Sequence, residues 1–153
     1  MLIFKFLHIV SMFLAVGLAV GTELLLHRVA NSGDVRAIRT TFALVKPIGI
    51  AIPVMFVIGL IFGLITAATG QLNFLAPWLV LSYVVFGLTF VVTGIAGGWP
   101  AKVAEAAAAS SEEAPSGELT ALVHQGFPRF SMYFSLVAVI VLVFLMVVKP
   151  FSS

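Results

Sequence analysis

Long runs of apolar residues, separated by short polar segments, dominate the chain. The first run covers residues 2–26. A second stretch, 47–101, contains no Asp, Glu, Lys or Arg, and at about 1.5 Å per residue it is too long to cross a hydrocarbon core of about 30 Å only once. A polar break at 69–73, followed by Pro77, divides it in two. The pattern therefore predicts four membrane-spanning helices, at about residues 2–26, 48–67, 77–96 and 130–148.

The composition supports a membrane protein. Hydrophobic residues make up 61% of the chain and charged residues 9%, against roughly 25% charged in soluble domains. This excludes a disordered chain, a nucleic-acid-binding protein and an ordinary soluble domain. We predict an all-α polytopic protein, a single four-helix bundle over residues 1–153 with the lipid bilayer as its surroundings. The first run lacks a clear cleavage site before Glu23, which favours a retained span over a signal peptide.

The positions of the basic residues predict the orientation. Cytoplasmic segments next to membrane spans are enriched in Lys and Arg. Six such residues lie in the connections at about 27–46 and 99–129, and two lie on the other side: Arg28, Arg36, Arg39, Lys46, Lys102 and Arg129 against Lys5 and Lys149. We therefore expect both connections to be cytoplasmic loops and both termini to be extracytoplasmic, in a bacterial plasma (inner) membrane. Within these loops, Asp34 and Ser116 are predicted N-caps of short helices.

Small residues predict how the spans pack. Lipid and Leu are equally apolar, so helices in a membrane associate through close contacts of small residues. Three spans carry glycines at helical spacing: Gly17 with Gly21, Gly59 with Gly63, and Gly87 with Gly94. Pro53 is expected to kink the second span. Three aromatic residues near the predicted boundaries are typical of interfacial anchors: Trp78, Trp99 and Tyr133.

One face of the first span carries the polar groups that can support chemistry. His8, Met12, Glu23 and His27 fall in one sector at helical spacing. An ionisable residue inside a span costs roughly 2.5–3.5 kcal/mol on insertion scales and is a functional hypothesis by default. For His8 two roles stay open, a hydrogen bond to a neighbouring helix or ligation of a cofactor. For Glu23 a pairing with His27 or Arg28 is favoured over proton relay.

The chain has no cysteine, which excludes thiolate zinc sites, iron–sulfur clusters and c-type haem attachment. A b-type haem can use His or Met axial ligands, and Cu(I) suits thioether and imidazole ligands. Haem candidates are His8, His27, His124 and Met146, with Lys149 a less favoured partner of His8; copper candidates are His8 with Met12 or Met146. For His27 and His124 an interfacial position at headgroup level is the alternative. No pattern typical of an enzyme's nucleophile, phosphate loop or metalloprotease helix is present.

Three short motifs carry a family resemblance: Lys5–Ile9 opening the first span, Pro77–Leu79 opening the third, and Met146–Pro150 at the end. With these motifs, residues 3–150 resemble a bacterial family of predicted integral membrane proteins of unknown function. That family is similar in pattern to the copper-resistance D domain and to four-span haem-binding protoporphyrinogen oxidases. The resemblance implies that the early histidine, here His8, is the haem or metal residue.

Two departures limit what the resemblance implies. The third span lacks the basic and histidine residues of the oxidases, which argues against protoporphyrinogen oxidation. The chain also has fewer Met and His than copper-resistance proteins usually carry. The leading prediction is a small membrane redox component that binds haem b through His8 and serves a quinone or respiratory complex. The alternatives are an accessory or anchor subunit in a homo-oligomer or larger complex, and a metal or small-solute permease.

Overall fold

The computed structural model describes residues 2–111 and 114–150. The predicted domain boundaries at 1 and 153 therefore lie outside the described residues, as do Glu112 and Glu113. Within the described ranges the chain forms six helices and no strand, which confirms the all-α prediction. The helices are α1 (Leu2–Ala30), α2 (Val35–Thr69), α3 (Pro77–Ala96), α4 (Trp99–Ala109), α5 (Gly117–Val123) and α6 (Gly126–Val148).

Four helical stretches are long and apolar enough to cross a membrane, and they contain α1, α2, α3 and α6. This confirms the four predicted spans. Large apolar side chains are exposed along all four, among them Phe13, Ile61, Val91 and Ile140. Exposure of this kind is stable only where the surrounding solvent is itself apolar. The surfaces of the four helices are therefore built to contact lipid.

Most residues of the connections at 27–46 and 99–129 are helical, in keeping with the short helices predicted within them, but the helix that follows Asp34 is not short. Helix α1 continues to Ala30, and α2 begins at Val35 and runs through Lys46 and Pro47 without a break. At 35 residues, α2 is about 52 Å long, well beyond a hydrocarbon core of about 30 Å. The charged residues Arg36, Arg39 and Lys46 therefore do not end the helix.

Short turns join the elements, and two predicted caps are confirmed. Gly33 has φ +73° in the turn before α2, a conformation that glycine adopts without steric cost. Asp34 Oδ1 then accepts a hydrogen bond from the Ala37 amide at 2.9 Å. Ser116 Oγ likewise accepts from the Leu119 amide at 3.1 Å and caps α5. These side chains satisfy amide donors that a helix start leaves free.

The helices pack in two antiparallel pairs. Helix α1 lies against α2, and α3 lies against α6, while α1 also touches α6. Helix α4 packs against both α2 and α5. We call the end of the molecule that carries α4 and α5 the cap end, and the opposite end, where α1 begins and α6 stops, the terminal end.

The main apolar core lies at the cap end and not between the spans. It joins the last residues of α1 and the first third of α2 to α4 and α5, and we call this unit the cap. Its buried members are Leu26, Ala30, Val35, Ile38, Phe42, Val45, Trp99, Val103, Ala106, Ala107, Leu119, Leu122 and Val123. The segments predicted as loops thus form the most continuous core of the described structure.

The aromatic anchors behave differently from one another. Tyr133 is exposed, as an interfacial side chain should be. Trp99 is only 7% exposed, and its Nε1 donates to the Leu122 carbonyl at 2.9 Å. The prediction of Trp99 as a lipid-facing anchor is wrong, because a partner carbonyl from α5 lets the indole be buried with its N–H satisfied. Trp78 is also buried, at the terminal end.

Candidate functional site

The imidazole of His8 lies between α1 and α2, near the terminal end. Its Nδ1 is 2.7 Å from the carbonyl oxygen of Gly59. A Cβ built on Gly63 would meet Cε1 and Nδ1 of His8 at 2.8 Å. Helix α2 therefore presents a glycine face that the His8 ring fills, and no other residue type at position 63 leaves the ring in place.

The hydrogen bond sets the tautomer of His8. A carbonyl oxygen only accepts, so Nδ1 must be the donor and carry the proton. In a neutral ring the lone pair is then on Nε2. Among the described residues Nε2 has no hydrogen-bond partner. A histidine that binds a metal through one ring nitrogen usually donates the N–H of the other to a carbonyl or carboxylate oxygen, and the bond from His8 Nδ1 to the Gly59 carbonyl has this form.

Met12 continues the same contact one turn further along α1. A Cβ on Gly59 would meet Met12 Cγ and Sδ, both at 3.1 Å. The predicted sector of α1 therefore faces α2 at His8 and at Met12, and the structure brings these two candidate copper ligands to one glycine face. A thioether and an imidazole are ligands that Cu(I) accepts. Within residues 2–111 and 114–150 no group of three or more His, Asp or Glu is placed to hold a metal.

Glu23 lies on the same face of α1, closer to the cap, and is partly buried. The expected pairing with His27 or Arg28 does not form, and no ion pair or hydrogen bond of Glu23 occurs in the described part of the chain. The i, i+4 spacing permits the pairing with His27, but the His27 ring is taken by other partners. Glu23 therefore remains a carboxyl without a partner near the boundary between bundle and cap.

His27 belongs to the cap. It is 8% exposed and stacks on Trp99, with ring centroids 4.6 Å apart and planes inclined by 18°. The ring of Phe42 packs edge-on against Trp99, with ring centroids 5.9 Å apart. His27 is thus a buried member of the cap, and as a haem ligand it would have to leave this stack. Sequence reasoning missed the cluster because its members come from three helices.

His124, like His27, lies at the cap end, away from His8. His124 is exposed at the end of α5, in keeping with an interfacial position. Met146 is 41% exposed on α6, and no polar or ring contact connects it to His8 within the described ranges. Lys149 caps α6 in a left-handed conformation, φ +47°, with its Nζ 5.5 Å from the ring centroid of Trp78. The structure therefore does not assemble the predicted pair of axial ligands.

Arg39 fastens the cap. Its Nε donates to the Ala107 carbonyl at 2.7 Å, and its Nη2 donates to the carbonyls of Ala108, at 3.4 Å, and of Ser110. Ala107 and Ala108 lie in the last turn of α4 and Ser110 is its C-cap, where a helix leaves carbonyls short of amide donors; the Ala107 carbonyl also accepts from the Ser110 amide at 3.3 Å. A planar guanidinium can reach several of them at once. The sequence analysis used Arg39 only as a positive charge for predicting the orientation. In the structure its guanidinium holds α4 on α2.

Two of the predicted glycine faces have no partner among residues 2–111 and 114–150. A Cβ on Gly17, Gly21, Gly87 or Gly94 would meet nothing within 4 Å there. The pair Gly59 and Gly63 packs as predicted. Between α2 and α3 an open groove of about 310 Å³ is lined by apolar residues, with the rings of Phe56 and Phe86 in edge contact at 6.0 Å.

Comparison with known proteins gives one match. A family model described as "Predicted integral membrane protein (DUF2269)" matches residues 2–150. No curated protein and no solved structure matches the chain.

Proposed function

Because the chain belongs to the DUF2269 family of predicted integral membrane proteins and so acts in a bilayer, we propose that it is a small redox component that binds b-type haem through His8. The observation that carries the proposal is the hydrogen bond from His8 Nδ1 to the Gly59 carbonyl. It orients the ring and leaves Nε2 as the basic nitrogen. A bound haem would supply one-electron transfer to a quinone or to a larger respiratory complex.

The residues around His8 fit one axial ligand. The Gly59 carbonyl holds the proton on Nδ1, and the ring is confined between α1 and the glycine face of α2. Met12 fills the next position of that face and keeps it apolar. His27 and His124 lie at the cap end, so His8 is the ligand that we assign to this chain. One chain would thus supply one ligand, His8. A second protein ligand, where the haem takes one, would come from a second copy of the chain or from a partner.

We place the protein in a bacterial plasma membrane with the cap in the cytoplasm. The cap end carries four basic residues, Arg28, Arg36, Lys46 and Arg129. The positive-inside rule favours the cytoplasm for this end. The two termini then lie outside. Tag accessibility at each terminus tests the orientation, and protection of either terminus in intact cells would contradict it.

The experiment that tests haem binding is an optical spectrum of the purified protein in detergent. We expect a Soret band that is lost in His8→Ala and kept in His124→Ala, whose side chain is exposed in the cap. Metal analysis of the same samples measures copper. A colourless protein whose bound copper depends on His8 and Met12 would contradict haem binding and indicate a Cu(I) site. The function would then be metal handling or permeation and not electron transfer.

A second candidate is a non-catalytic accessory or anchor subunit. The observation that favours it is that His8 and Met12 fully occupy the glycine face of α2, which is a sufficient structural reason for both residues. Interhelical hydrogen bonds of this kind stabilise membrane bundles without further function. A colourless, metal-free protein that copurifies with a stoichiometric partner would support this candidate over the haem proposal.

A further inference from the structure

The groove between α2 and α3 is apolar along its whole lining. It has a volume of about 310 Å³ and almost no polar atom. Three aromatic rings line it in succession: Phe56 lies edge-on to Phe86 with ring centroids 6.0 Å apart, and Phe86 stacks on Phe90 at 6.4 Å. A surface without hydrogen-bonding groups binds hydrocarbon and rejects polar groups, which would lose their partners there. The groove therefore suits an apolar chain.

A glycine keeps the groove open on the α3 side. Gly87 lines it, and Gly94 lies two turns further toward the cap end on the same face, at i+7. A Cβ on either glycine would meet nothing within 4 Å among the described residues. The occupant of this space is slender, because one turn of a helix, about 10 Å wide and 5.4 Å long, already takes up more than the volume of the groove.

The terminal end of the groove is closed. The Leu72 amide donates to the Ala67 carbonyl at 3.0 Å, and the Ala76 amide donates to the Asn73 carbonyl at 2.9 Å. This hydrogen-bonded turn joins α2 directly to α3, which begins at Pro77. A chain that is longer than the groove can therefore continue only toward the cap end.

An open track on α2 leads from the groove toward the cap end. Val57 lines the groove, and Pro53, Gly49 and Lys46 precede it by 4, 8 and 11 residues, which is the spacing of one helix face. Helix α2 runs through this stretch without a break. Pro53 and Gly49 are exposed, and a Cβ on Gly49 would meet nothing within 4 Å among the described residues. No side chain of this face obstructs the way from the groove to Lys46.

Lys46 lies one leaflet away from the groove. The 11 residues that separate it from Val57 span about 16 Å along the helix, close to half of a hydrocarbon core of about 30 Å. Lys46 is exposed, and its ammonium has no hydrogen bond or ion pair within residues 2–111 and 114–150. An unpaired cation at headgroup depth and an apolar groove at the depth of the chain ends match the two ends of one phospholipid molecule.

From this match we propose that the groove between α2 and α3, together with Lys46, binds one anionic phospholipid of the leaflet on the cap side. An acyl chain fills the groove, and the phosphate group lies against the Lys46 ammonium. The charge of Lys46 selects an anionic headgroup, since a basic side chain at the membrane surface attracts anionic lipids. The site is independent of haem at His8, because His8 packs on the face of α2 that carries Gly59 and meets α1.

Quenching of a fluorophore by brominated acyl chains measures occupancy, since the chain has no native cysteine for the label to react with. Val91→Cys places a bimane label at an exposed position of α3, one turn from Gly87, and Ile140→Cys places an equally exposed label on α6 as the control. The full chain is reconstituted in phosphatidylcholine vesicles with increasing fractions of brominated phosphatidylglycerol. We expect half-maximal quenching at Val91 at a fraction about fivefold lower than at Ile140.

Two substitutions separate the headgroup from the chain. Lys46→Ala should abolish the fivefold preference, whereas Lys5→Ala, which removes an exposed lysine at the terminal end, should leave it unchanged. Gly87→Leu puts a side chain into the groove and should raise the half-quenching fraction at Val91 to that at Ile140. Gly17→Leu is its control, because position 17 on α1 is equally open.

Three results would count against the proposal. Equal quenching of the Val91 and Ile140 labels by brominated phosphatidylglycerol would overturn it, and this comparison needs no variant of the site itself. A preference that survives Lys46→Ala would overturn the role of the lysine in selecting the headgroup. Displacement of the brominated lipid by an isoprenoid quinone at equal mole fraction would overturn the assignment to a phospholipid.

Discussion

The contact between His8 and the glycine face of α2 gives the sharpest prediction of stability. Gly63→Ala would place a Cβ at 2.8 Å from Cε1 and Nδ1 of His8, so the ring has to move by several tenths of an ångström. That movement disturbs the 2.7 Å bond to the Gly59 carbonyl. Overpacking of this kind costs about 2 kcal/mol, and an interhelical hydrogen bond in a membrane contributes about 0.6 kcal/mol.

Gly17→Ala is the matched control, because it also lies on a span, and its new methyl group would meet nothing within 4 Å. Both substitutions gain the same helix propensity of roughly 0.5–1 kcal/mol, which cancels in the comparison. We therefore expect Gly63→Ala to be less stable than Gly17→Ala by about 2.5 kcal/mol. Unfolding by sodium dodecyl sulfate in mixed micelles, followed by tryptophan fluorescence, measures the difference.

A double-mutant cycle assigns the effect to the ring. His8→Ala removes the ring that the new Cβ would meet. Adding Gly63→Ala to His8→Ala should therefore cost much less stability than adding Gly63→Ala to the wild-type protein. If Gly63→Ala and Gly17→Ala differ by less than about 0.5 kcal/mol, or if removal of the imidazole brings no recovery, then His8 does not occupy the glycine face and the argument for its fixed tautomer fails with it.

Three further predictions concern the two ends of the molecule. Arg39→Lys keeps the charge but loses the fork that reaches several carbonyls of α4; we expect faster amide exchange in α4, by about tenfold for a loss of about 1.4 kcal/mol, and unchanged exchange would contradict the clamp. Trp99→Phe removes the bond to the Leu122 carbonyl, which keeps the Gln125 amide as a donor at 3.3 Å, and should destabilise the cap by about 1 kcal/mol in thermal unfolding, the net contribution of one hydrogen bond. Lys149→Gly relieves a left-handed backbone but removes the cation over Trp78, so we expect near-neutral stability with a changed Trp78 emission, whereas Lys149→Ala should be less stable than Lys149→Gly by about 1 kcal/mol.

The spans could be predicted from the sequence because a bilayer imposes one strong requirement, about 20 apolar residues per crossing. The sequence also predicted the break at Gly70 and the start of α3 at Pro77. Gly is common just after the end of a helix, and Pro is common at its first position. The N-cap at Asp34 likewise predicted a helix from that point, and α2 begins there at Val35. Its unbroken continuation into the second span was not predicted. Charge at Arg36 and Lys46 marks the exit from the hydrocarbon core, but a helix can continue into water where a second layer of helices covers it.

The site was predictable only in part, for a similar reason. Helical spacing placed His8 and Met12 on one face of α1, and the structure confirms this for both. Spacing alone does not say which neighbour a face meets, so the equally regular pair Gly17 and Gly21 was expected to pack and does not. The stack of His27 on Trp99 joins residues more than 70 positions apart, and no local pattern encodes such a contact.

The way the cap is assembled has a consequence for biosynthesis. The ends of α1 and α2 leave the ribosome long before α4 and α5, which complete the cap only once Val123 has been made. With the cap outside the bilayer, as we propose, Val35, Ile38 and Phe42 form an uncovered apolar strip in water until then. The protein therefore most needs a chaperone or an insertase while only the hairpin of α1 and α2 has been synthesised.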